Sequence, residues 1–292
     1  MRAPQQPASD VPFPAPPVPA DLEVSVRRAL EEDLGSGDVT AETLVPAEQN
    51  VRATLWLRES AVIAGIPWFE ASFHLLDRSL RIEWRIREGD PVEAGTLVAE
   101  IEGRARSILG GERTALNFLQ LLSGTATITR RYVQAVAGTS CRILDTRKTL
   151  PGLRAAQKYA TRIGGATNHR FGLYDAILIK ESHLASVGGI PAALERAHKR
   201  SGIPVILEVE TLAELGDAIA WGAPWILLDN FSLDDIREAV RLSAGRARLE
   251  ASGGMDLDTV RAVANCGVDF ISVGALTKHV RAIDLSLRII GD

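Results

Sequence analysis

The chain has 292 residues, of which 46% are hydrophobic and 24% charged, and its net charge is -4. This composition is typical of a globular protein long enough for two domains, and the acidic balance argues against broad nucleic-acid or membrane binding. No apolar run approaches the roughly 18 residues of a membrane span. Two cysteines without paired spacing, Cys141 and Cys266, argue against a disulfide framework or a cysteine zinc site, so we expect a cytoplasmic protein.

The first part of the chain predicts a tail followed by a small α/β layer. Residues 1–20 are rich in Pro and Ala without a continuous apolar core, which indicates a disordered tail rather than a secretory signal. A helix is predicted over 22–33, where Leu22, Val26 and Leu30 share one face. Further strands are predicted at 51–58, 80–87 and 96–102, and further helices at 65–76 and 111–137.

From residue 141 short apolar strands alternate with amphipathic helices. Repeated βα units with short loops imply a parallel sheet. A doubly wound sheet is one alternative, but polar residues recur at the carboxyl end of every strand, which favours a closed or partly closed barrel with its chemistry at that rim. The predicted strands are Arg142–Asp145, Ala176–Lys180, Val205–Glu210, Trp225–Asp229, Arg248–Ala251 and Phe270–Val273.

Cations collect at the predicted rim. Residues 141–170 contain seven Lys or Arg and a single acid, Asp145. Several cations at one rim would repel each other unless a polyanion binds there, and Arg and Lys both recognise carboxylate and phosphate. The cations of the 152–163 helix, Arg154, Lys158 and Arg162, are equally well explained as a solvated surface. We therefore predict a small-polyanion site centred on Arg147, Lys148, His169, Arg170 and Lys180.

Acidic residues lie on neighbouring predicted strand ends. Glu208 and Glu210 share one face if the strand continues through both, and Asp229 ends the next strand. Carboxylates on a buried strand are costly unless they are paired or bind a metal. They can pair with the cations or hold Mg²⁺ together with a substrate phosphate, and a purely structural salt-bridge network is the alternative.

Glycines follow the last two predicted strands, in the segments 251–254 and 273–277. Glycine lets backbone N–H groups approach an anion closely, and the last βα loops of barrels often bind phosphate. The chain contains no HExxH motif, Walker loop, dinucleotide fingerprint or serine nucleophile elbow. These patterns favour a phosphate-binding enzyme over a zinc protease, an NTPase or a serine hydrolase.

The combination of segments resembles quinolinate phosphoribosyltransferase, the carboxylating nicotinate-nucleotide pyrophosphorylase of NAD biosynthesis. The similarity extends from about residue 22 to 290. It is carried by GERTALNFL (111–119), LSG (122–124), DTRKTLPGLR (145–154), NHRFGLYD (168–175), ILIK (177–180), EVE (208–210), LDNF (228–231) and EASGG (250–254).

The resemblance implies a fold and a reaction. It implies an N-terminal α/β sandwich over 21–137, an open parallel α/β barrel of six to seven strands over 138–278, and a segment 279–292 that returns to the N-terminal domain. The implied reaction joins quinolinate to phosphoribosyl pyrophosphate, requires Mg²⁺, and releases nicotinate mononucleotide, pyrophosphate and CO2. Homodimers, or larger assemblies, with an active site shared between subunits are also implied.

Site residues follow from the same motifs. Arg113 would enter the site from the partner subunit, and Lys148, Glu208 and Asp229 would be catalytic. Glu208 and Asp229 would face the ribose hydroxyls and the metal–pyrophosphate side. Quinolinate would be surrounded by Arg147, Lys148, His169, Arg170 and Lys180, and the remaining substrate-binding positions are Thr146, Ser252, Gly253, Gly254 and Gly274, of which Ser252, Gly253 and Gly274 would lie at the 5′-phosphate.

The chain departs from the family pattern at two places, and two other functions remain open. Gly164-Gly165-Ala166-Thr167 replaces a run with three glycines, and Glu181-Ser182-His183 replaces Asp-Asn-His, which leaves a role for Glu181 open. One alternative is a relative of the same fold, either a phosphoribosyltransferase that acts on nicotinate or another base without decarboxylation or a molybdenum-uptake-associated protein. The other is a non-catalytic anion-binding barrel. The number of cations favours a dicarboxylate, and acids such as Glu208 argue against pure anion binding.

Overall fold

The computed structural model describes residues 18–200 and 202–290, and they form two compact units. The predicted disordered tail therefore lies outside the described residues, except for 18–20. We call 132–148 together with 166–275 the barrel unit, and the described parts of 16–131, 149–165 and 276–292 the N-terminal unit. The mixed α/β fold class predicted from the sequence is confirmed.

The N-terminal unit contains an antiparallel sheet in the order β12-β1-β5-β3 and a two-stranded sheet, β2-β4. The strand β12, which pairs with β1, was not predicted, nor was the helix α2, whose N-cap Asp38 accepts from two backbone N–H groups. Elements in chain order are α1 (Leu22–Leu34), α2 (Val39–Leu44), β1 (Asn50–Leu57), β2 (Ala61–Val62), α3 (Ile66–His74), β3 (Arg81–Trp84), β4 (Pro91–Val92), β5 (Leu97–Arg104) and α4 (Ala105–Ala135).

The long helix α4 begins at Ala105, six residues before its predicted start at 111. Gly110 and Gly111 lie inside it, where a Cβ on Gly111 would come within 2.7 Å of the Phe73 ring. The glycines therefore mark a close approach of the helix to its core, and they do not mark its beginning. Among the described residues, no helix combines the length and apolarity that a membrane crossing needs.

The barrel unit contains a six-stranded parallel sheet in the order β6-β11-β10-β9-β8-β7. The first strand, β6, pairs with the last, β11, as in a barrel, whereas a doubly wound sheet would reverse its order in the middle. Among the described residues no ladder joins β6 to β7, so the barrel is open. Its elements, together with those of the N-terminal unit that follow α4, are β6 (Arg142–Leu144), α5 (Arg154–Ile163), β7 (Ile177–Ile179), α6 (Glu181–Val187), α7 (Ile190–His198), β8 (Val205–Val209), α8 (Leu212–Ala220), β9 (Trp225–Asp229), α9 (Leu233–Ser243), β10 (Arg248–Ser252), α10 (Val260–Asn265), β11 (Phe270–Ser272), α11 (Ala275–Lys278) and β12 (Leu285–Ile290).

Local sequence accounts for the helices that follow the strands. Thr211 and Glu214 form a reciprocal capping box at α8, in which each side chain accepts from the other residue's backbone N–H. Ser232 caps α9 through the backbone N–H of Asp235. An apolar cluster that includes Trp225 and Phe270 fills the sheet's interior. These contacts fix the strand ends from which the predicted site residues extend.

Candidate active site

The predicted site residues of the barrel unit lie at one rim of the sheet. Since the strands are parallel, their carboxyl ends meet at the same edge. Thr146, Arg147 and Lys148 follow β6, and Lys180 follows β7. The rim continues with Glu208 in β8, Asp229 and Ser252 at the ends of β9 and β10, Gly253 and Gly254 after β10, and Gly274 after β11.

The segment 167–170 lies at the open edge of the barrel. Thr167 donates to Ile143 O (2.9 Å) and accepts from Asp145 N (3.2 Å), which continues the parallel pairing of β6. Arg170 Nη1 donates to the carbonyl oxygen of Ala176, directly before β7 (3.1 Å). The predicted anion-binding residues of this segment are therefore tied to both edge strands, and we call 167–170 the seam.

Cations converge beside the seam. Arg147, Arg170 and Lys180 line a cavity of about 610 Å³, whose wall is completed by side chains of β7, α6 and α7. The Arg170 side chain is almost fully buried, and burial together with the positive charge of Arg147 lowers the pKa of its guanidinium. Two like charges held this close favour an anion between them, because the anion relieves both the repulsion and the desolvation.

The acids of the rim occupy different environments. Glu208 is mostly buried and accepts from Lys180 Nζ at 3.1 and 3.3 Å, and Asp229 accepts from Asn230 Nδ2 at 2.9 Å. The strand β8 ends at Val209, so the alternation that placed Glu208 and Glu210 on one face does not extend to Glu210, which is exposed. Among the described residues, no three His, Cys, Asp or Glu groups come together as a metal site.

Two of the predicted glycines make close approaches. Gly253 has φ of 100°, and a Cβ there would lie 2.1 Å from Asn230 Oδ1. A Cβ on Gly274 would lie 3.0 Å from Lys148 Cδ. The loop after β10 therefore requires glycine at 253, whereas Gly274 has only a tight contact with a flexible side chain. Backbone N–H groups without a side chain beside them suit close contact with a phosphate.

Two buried acids of the site were given no role by the sequence reasoning, which noted Asp145 only as the single acid of a cationic run and quoted Glu250 only within a longer motif. Asp145 is fully buried and accepts from Asn168 Nδ2 (2.6 Å) and from the backbone N–H of His169 (2.8 Å). Glu250 is also fully buried, and its Oε2 lies 3.4 Å from His169 Nε2. An acid inside a cationic run, and another inside an apolar strand, are the signals that could have identified them.

The solvated-surface interpretation of the 152–163 helix is wrong for Lys158. Lys158 is fully buried, as is its neighbour Gln157, which donates to Thr277 O (3.0 Å). Arg154 and Arg162 are half-buried, and Arg162 lies over the Tyr159 ring. The helix α5 is therefore packed on several sides rather than presenting one polar face to water.

Arg113 belongs to the N-terminal unit, where it is exposed on α4. It makes no hydrogen bond or ion pair with the described residues. In the segment 181–183, which departs from the family pattern, Glu181 is exposed at the start of α6, and His183 Nδ1 accepts from the Lys180 backbone N–H (3.0 Å). Glu181 does not line the cavity beside the seam, whereas His183 does.

Comparison with known proteins gives a consistent result over nearly the whole chain. The model of the quinolinate phosphoribosyl transferase N-terminal domain matches residues 38–123, and that of the C-terminal domain matches 125–288. A probable nicotinate-nucleotide pyrophosphorylase [carboxylating] of Bacillus subtilis is 40% identical over 88% of this chain and 90% of its own length. The nicotinate-nucleotide pyrophosphorylase [carboxylating] of Mycobacterium leprae is 41% identical over 91% of this chain and 96% of its own.

Solved structures agree with these sequence relatives. The nicotinate-nucleotide pyrophosphorylase from Francisella tularensis superposes with a TM-score of 0.91 at 44% identity, covering 97% of this chain and all of the other. The NadC protein from Streptococcus pyogenes gives a TM-score of 0.88 at 38% identity over 94% of this chain and 100% of its own. Two-domain coverage in both comparisons means that the likeness extends beyond the barrel.

Proposed function

The chain belongs to the quinolinate phosphoribosyltransferase family, and we propose that it transfers the phosphoribosyl group of phosphoribosyl pyrophosphate to quinolinate with loss of CO2. The products are nicotinate mononucleotide and pyrophosphate, a step of NAD biosynthesis. The observation that carries the proposal is the convergence of Arg147, Arg170 and Lys180 on one cavity at the carboxyl rim of the open barrel. A pyridine with two adjacent carboxylates matches such a cluster in charge and in size.

Recognition of the dicarboxylate is the first task of the site. Arg170 is held by its hydrogen bond to Ala176 O, so one edge of its guanidinium is fixed and the other remains to meet a carboxylate. Arg147 and Lys180 supply further positive charge in the same cavity. Holding both carboxylates orients the ring nitrogen toward the ribose, which converts a bimolecular reaction into one between pre-positioned groups.

Transfer then forms one bond and breaks another. The ring nitrogen attacks ribose C1′ with its electron pair, and the bond from C1′ to the pyrophosphate oxygen breaks, with its electrons leaving on pyrophosphate. Positive charge develops on the ribose in the transition state. Glu208 and Asp229, at the ends of neighbouring strands, can stabilise that charge, and Lys148 can stabilise the departing anion.

Decarboxylation follows from the charge that the transfer creates. Once the nitrogen carries the ribose it is positive, so the bond between C2 and its carboxylate can break with the electron pair left on C2. A proton then adds to C2, and CO2 departs. The protein needs only to position the ring, because the substrate itself accepts the electrons. Backbone N–H groups around Ser252, Gly253 and Gly274 hold the 5′-phosphate in this scheme.

Magnesium is part of the proposal. Glu208 and Asp229 present carboxylate oxygens, the ligands that Mg²⁺ prefers, and two carboxylates fit a metal held mainly by a substrate's phosphates rather than by a protein cage. The ion would neutralise the charge of the leaving pyrophosphate. Residues 208 and 229 would be its protein ligands, and Lys180, which pairs with Glu208, would limit how far that side chain can turn away.

A shared site in a homodimer completes the proposal. Arg113 is an exposed cation without a partner among the described residues, and Leu173 and Tyr174 are 75% and 80% exposed beside Arg170 at the rim of the barrel unit. Large apolar side chains exposed next to a binding site support a protein partner there. In this arrangement Arg113 of one subunit reaches the cavity of the other.

Incubation with quinolinate, phosphoribosyl pyrophosphate and Mg²⁺ tests the reaction. We expect nicotinate mononucleotide and CO2 in equal amounts, and no product with nicotinate in place of quinolinate. A chelator such as EDTA should stop product formation, and excess Mg²⁺ should restore it. Mononucleotide formed from nicotinate at a comparable rate would favour a non-decarboxylating transferase, and quinolinate binding without any product would favour an anion-binding protein.

Mixed dimers test the shared site. Arg113→Ala and Lys148→Ala should each be nearly inactive, whereas equal amounts mixed and allowed to exchange subunits should regain about a quarter of wild-type activity, because half of the dimers then carry one intact site. Mixing each variant with itself is the matched control. Exchange without recovery of activity would show that Arg113 serves its own subunit or none.

A further inference from the structure

Glu250 is a carboxylate inside the barrel that none of the steps above uses. It lies on β10 opposite Leu227 of β9 and Phe270 of β11, and its side chain is fully buried. Neither of its oxygens has a hydrogen-bond partner among the described residues. A buried carboxylate without a partner destabilises the fold, so such a residue needs an interaction that offsets its desolvation.

The group that supplies this interaction is His169. Its Nε2 lies 3.4 Å from Glu250 Oε2, and the ring is itself almost fully buried. His169 Nδ1 accepts from the backbone N–H of Arg170 at 2.8 Å. A neutral imidazole has one N–H, and since Nδ1 accepts, the proton is on Nε2 and points at Glu250. Glu250 therefore selects the tautomer that the contact to Arg170 requires.

A continuous path leads from this carboxylate to the anion site. Glu250 holds the His169 ring, the ring holds the backbone of Arg170, and the Arg170 guanidinium lines the cavity. Asp145 holds the same segment from the other side, through Asn168 and the backbone of His169. With no exposed surface, Glu250 cannot touch a bound substrate, so any effect it has on binding must pass through His169.

We infer that Glu250 is a positioning residue for quinolinate, holding the His169 imidazole in its Nε2–H form and thereby fixing Arg170 in the orientation that meets a carboxylate. The inference rests on the proposed function for the identity of the ligand. Phosphoribosyl pyrophosphate, which the glycine loops bind in the proposed scheme, does not depend on this path.

Two substitutions separate positioning from packing. Glu250→Leu fills the apolar surroundings and removes the acceptor, and exchange of a buried charge for a hydrophobic side chain is often neutral or stabilising. Glu250→Gln keeps the size and an acceptor oxygen but loses the charge. We expect the KM for quinolinate to rise about tenfold or more in the Leu variant, because the His169 ring loses the carboxylate that its Nε2 faces, and by less in the Gln variant. The KM for phosphoribosyl pyrophosphate should change by less than about twofold in both variants. The melting temperature of the Leu variant should stay at or above that of the wild type.

The imidazole of His169 gives a second readout that a packing role would not move. In 1H–15N spectra of the full-length protein, the wild-type ring should show the Nε2–H form, and Glu250→Leu should show a mixture of tautomers, with His169→Gln used for assignment. Glu238→Gln, the same change at a half-buried position of α9 where the carboxylate pairs with Arg241, should leave KM and spectra as in the wild type.

Two results would overturn the inference: an unchanged quinolinate KM in Glu250→Leu, or equal increases in both KM values with a lowered melting temperature, which would mean a general loss of structure. The wild-type protein assayed in parallel separates this outcome from failure of the proposed function. If the wild type forms no mononucleotide, the proposed reaction is wrong, and calorimetric titration with quinolinate then tests the Glu250 path by affinity alone.

Discussion

Replacement of Arg170 by alanine should abolish tight quinolinate binding while the fold survives. The guanidinium is almost fully buried, donates to Ala176 O, and lines the cavity with Arg147. Removal of one partner of a buried charge pair typically costs about 2–5 kcal/mol of binding energy, which corresponds to roughly a 30-fold to 5000-fold weaker Kd. Arg170→Lys keeps the charge, but a lysine cannot donate to Ala176 O and also form two parallel hydrogen bonds to a carboxylate. Its Kd for quinolinate should therefore lie between those of the wild type and Arg170→Ala.

The effect on stability should be smaller than the effect on binding. Loss of the hydrogen bond to Ala176 O costs about 1.5–3 kcal/mol, and relief from burial and from the charge of Arg147, which together lower the pKa of Arg170, offsets part of it. We therefore expect the melting temperature to fall by only a few degrees. Isothermal titration calorimetry measures the Kd for quinolinate, and circular dichroism measures the helix content and the melting temperature.

Arg237→Ala is the matched control, because Arg237 is exposed on α9 and its ion pair with Asp234 is at the surface. The net charge changes by the same amount, so any loss specific to Arg170 is not a general charge effect. A quinolinate Kd within about twofold of wild type in a folded Arg170→Ala variant would refute the assignment of this residue to the anion site.

Two further predictions address the phosphate loop and the thiols. Gly253→Ala should weaken binding of phosphoribosyl pyrophosphate and lower stability by about 1–3 kcal/mol, because the added methyl group would lie 2.1 Å from Asn230 Oδ1 at a φ of 100°; an unchanged KM with an unchanged melting temperature would contradict this. Burial raises the pKa of the Cys141 thiol to about 12, so at about pH 8 a disulfide reagent should modify Cys266 readily and Cys141 only after denaturation, and equal rates would refute the difference.

The strand ends of the barrel could be predicted from sequence because local signals mark them. Short apolar runs such as 177–179 are followed by polar residues. A polar side chain directly after a buried parallel strand lies at the rim, because the carboxyl ends of all the strands are there. The capping box that Thr211 and Glu214 form at α8 depends on an equally short range of sequence. These features depend on residues within a few positions of each other, which is the range over which a sequence pattern carries structural information.

The burial of Lys158 could not be predicted in this way. Arg154, Lys158 and Arg162 repeat every four residues, the spacing of one helix face, and a face with three cations is normally solvated. The burial of Lys158 depends on the segments that pack around α5, and these segments come from distant parts of the chain. A fully buried Lys is rare unless it is paired, and no local pattern reports the pairing.

The contact between Glu250 and His169 also could not be predicted from the sequence, for a different reason. An acid in a strand can be recognised as anomalous, but its partner His169 precedes β7, so three strands separate the two residues along the chain. Helix α4 shows a third kind of limit, because it begins at Ala105, before its predicted start at 111. Gly111 lies inside the helix and permits close packing against Phe73, a contact that depends on a distant part of the chain.

The seam has a consequence for the integrity of the protein as well as for its chemistry. Unpaired edge strands invite pairing with another chain, and an open barrel has two such edges. Here Thr167 pairs with β6 and Arg170 caps the carbonyl before β7, so the segment that would bind substrate also shields the edges of the sheet. Protection of the sheet edges from pairing with another chain and affinity for the ligand thus depend on the same four residues, 167–170. A substitution that improves one property can be selected against because it weakens the other.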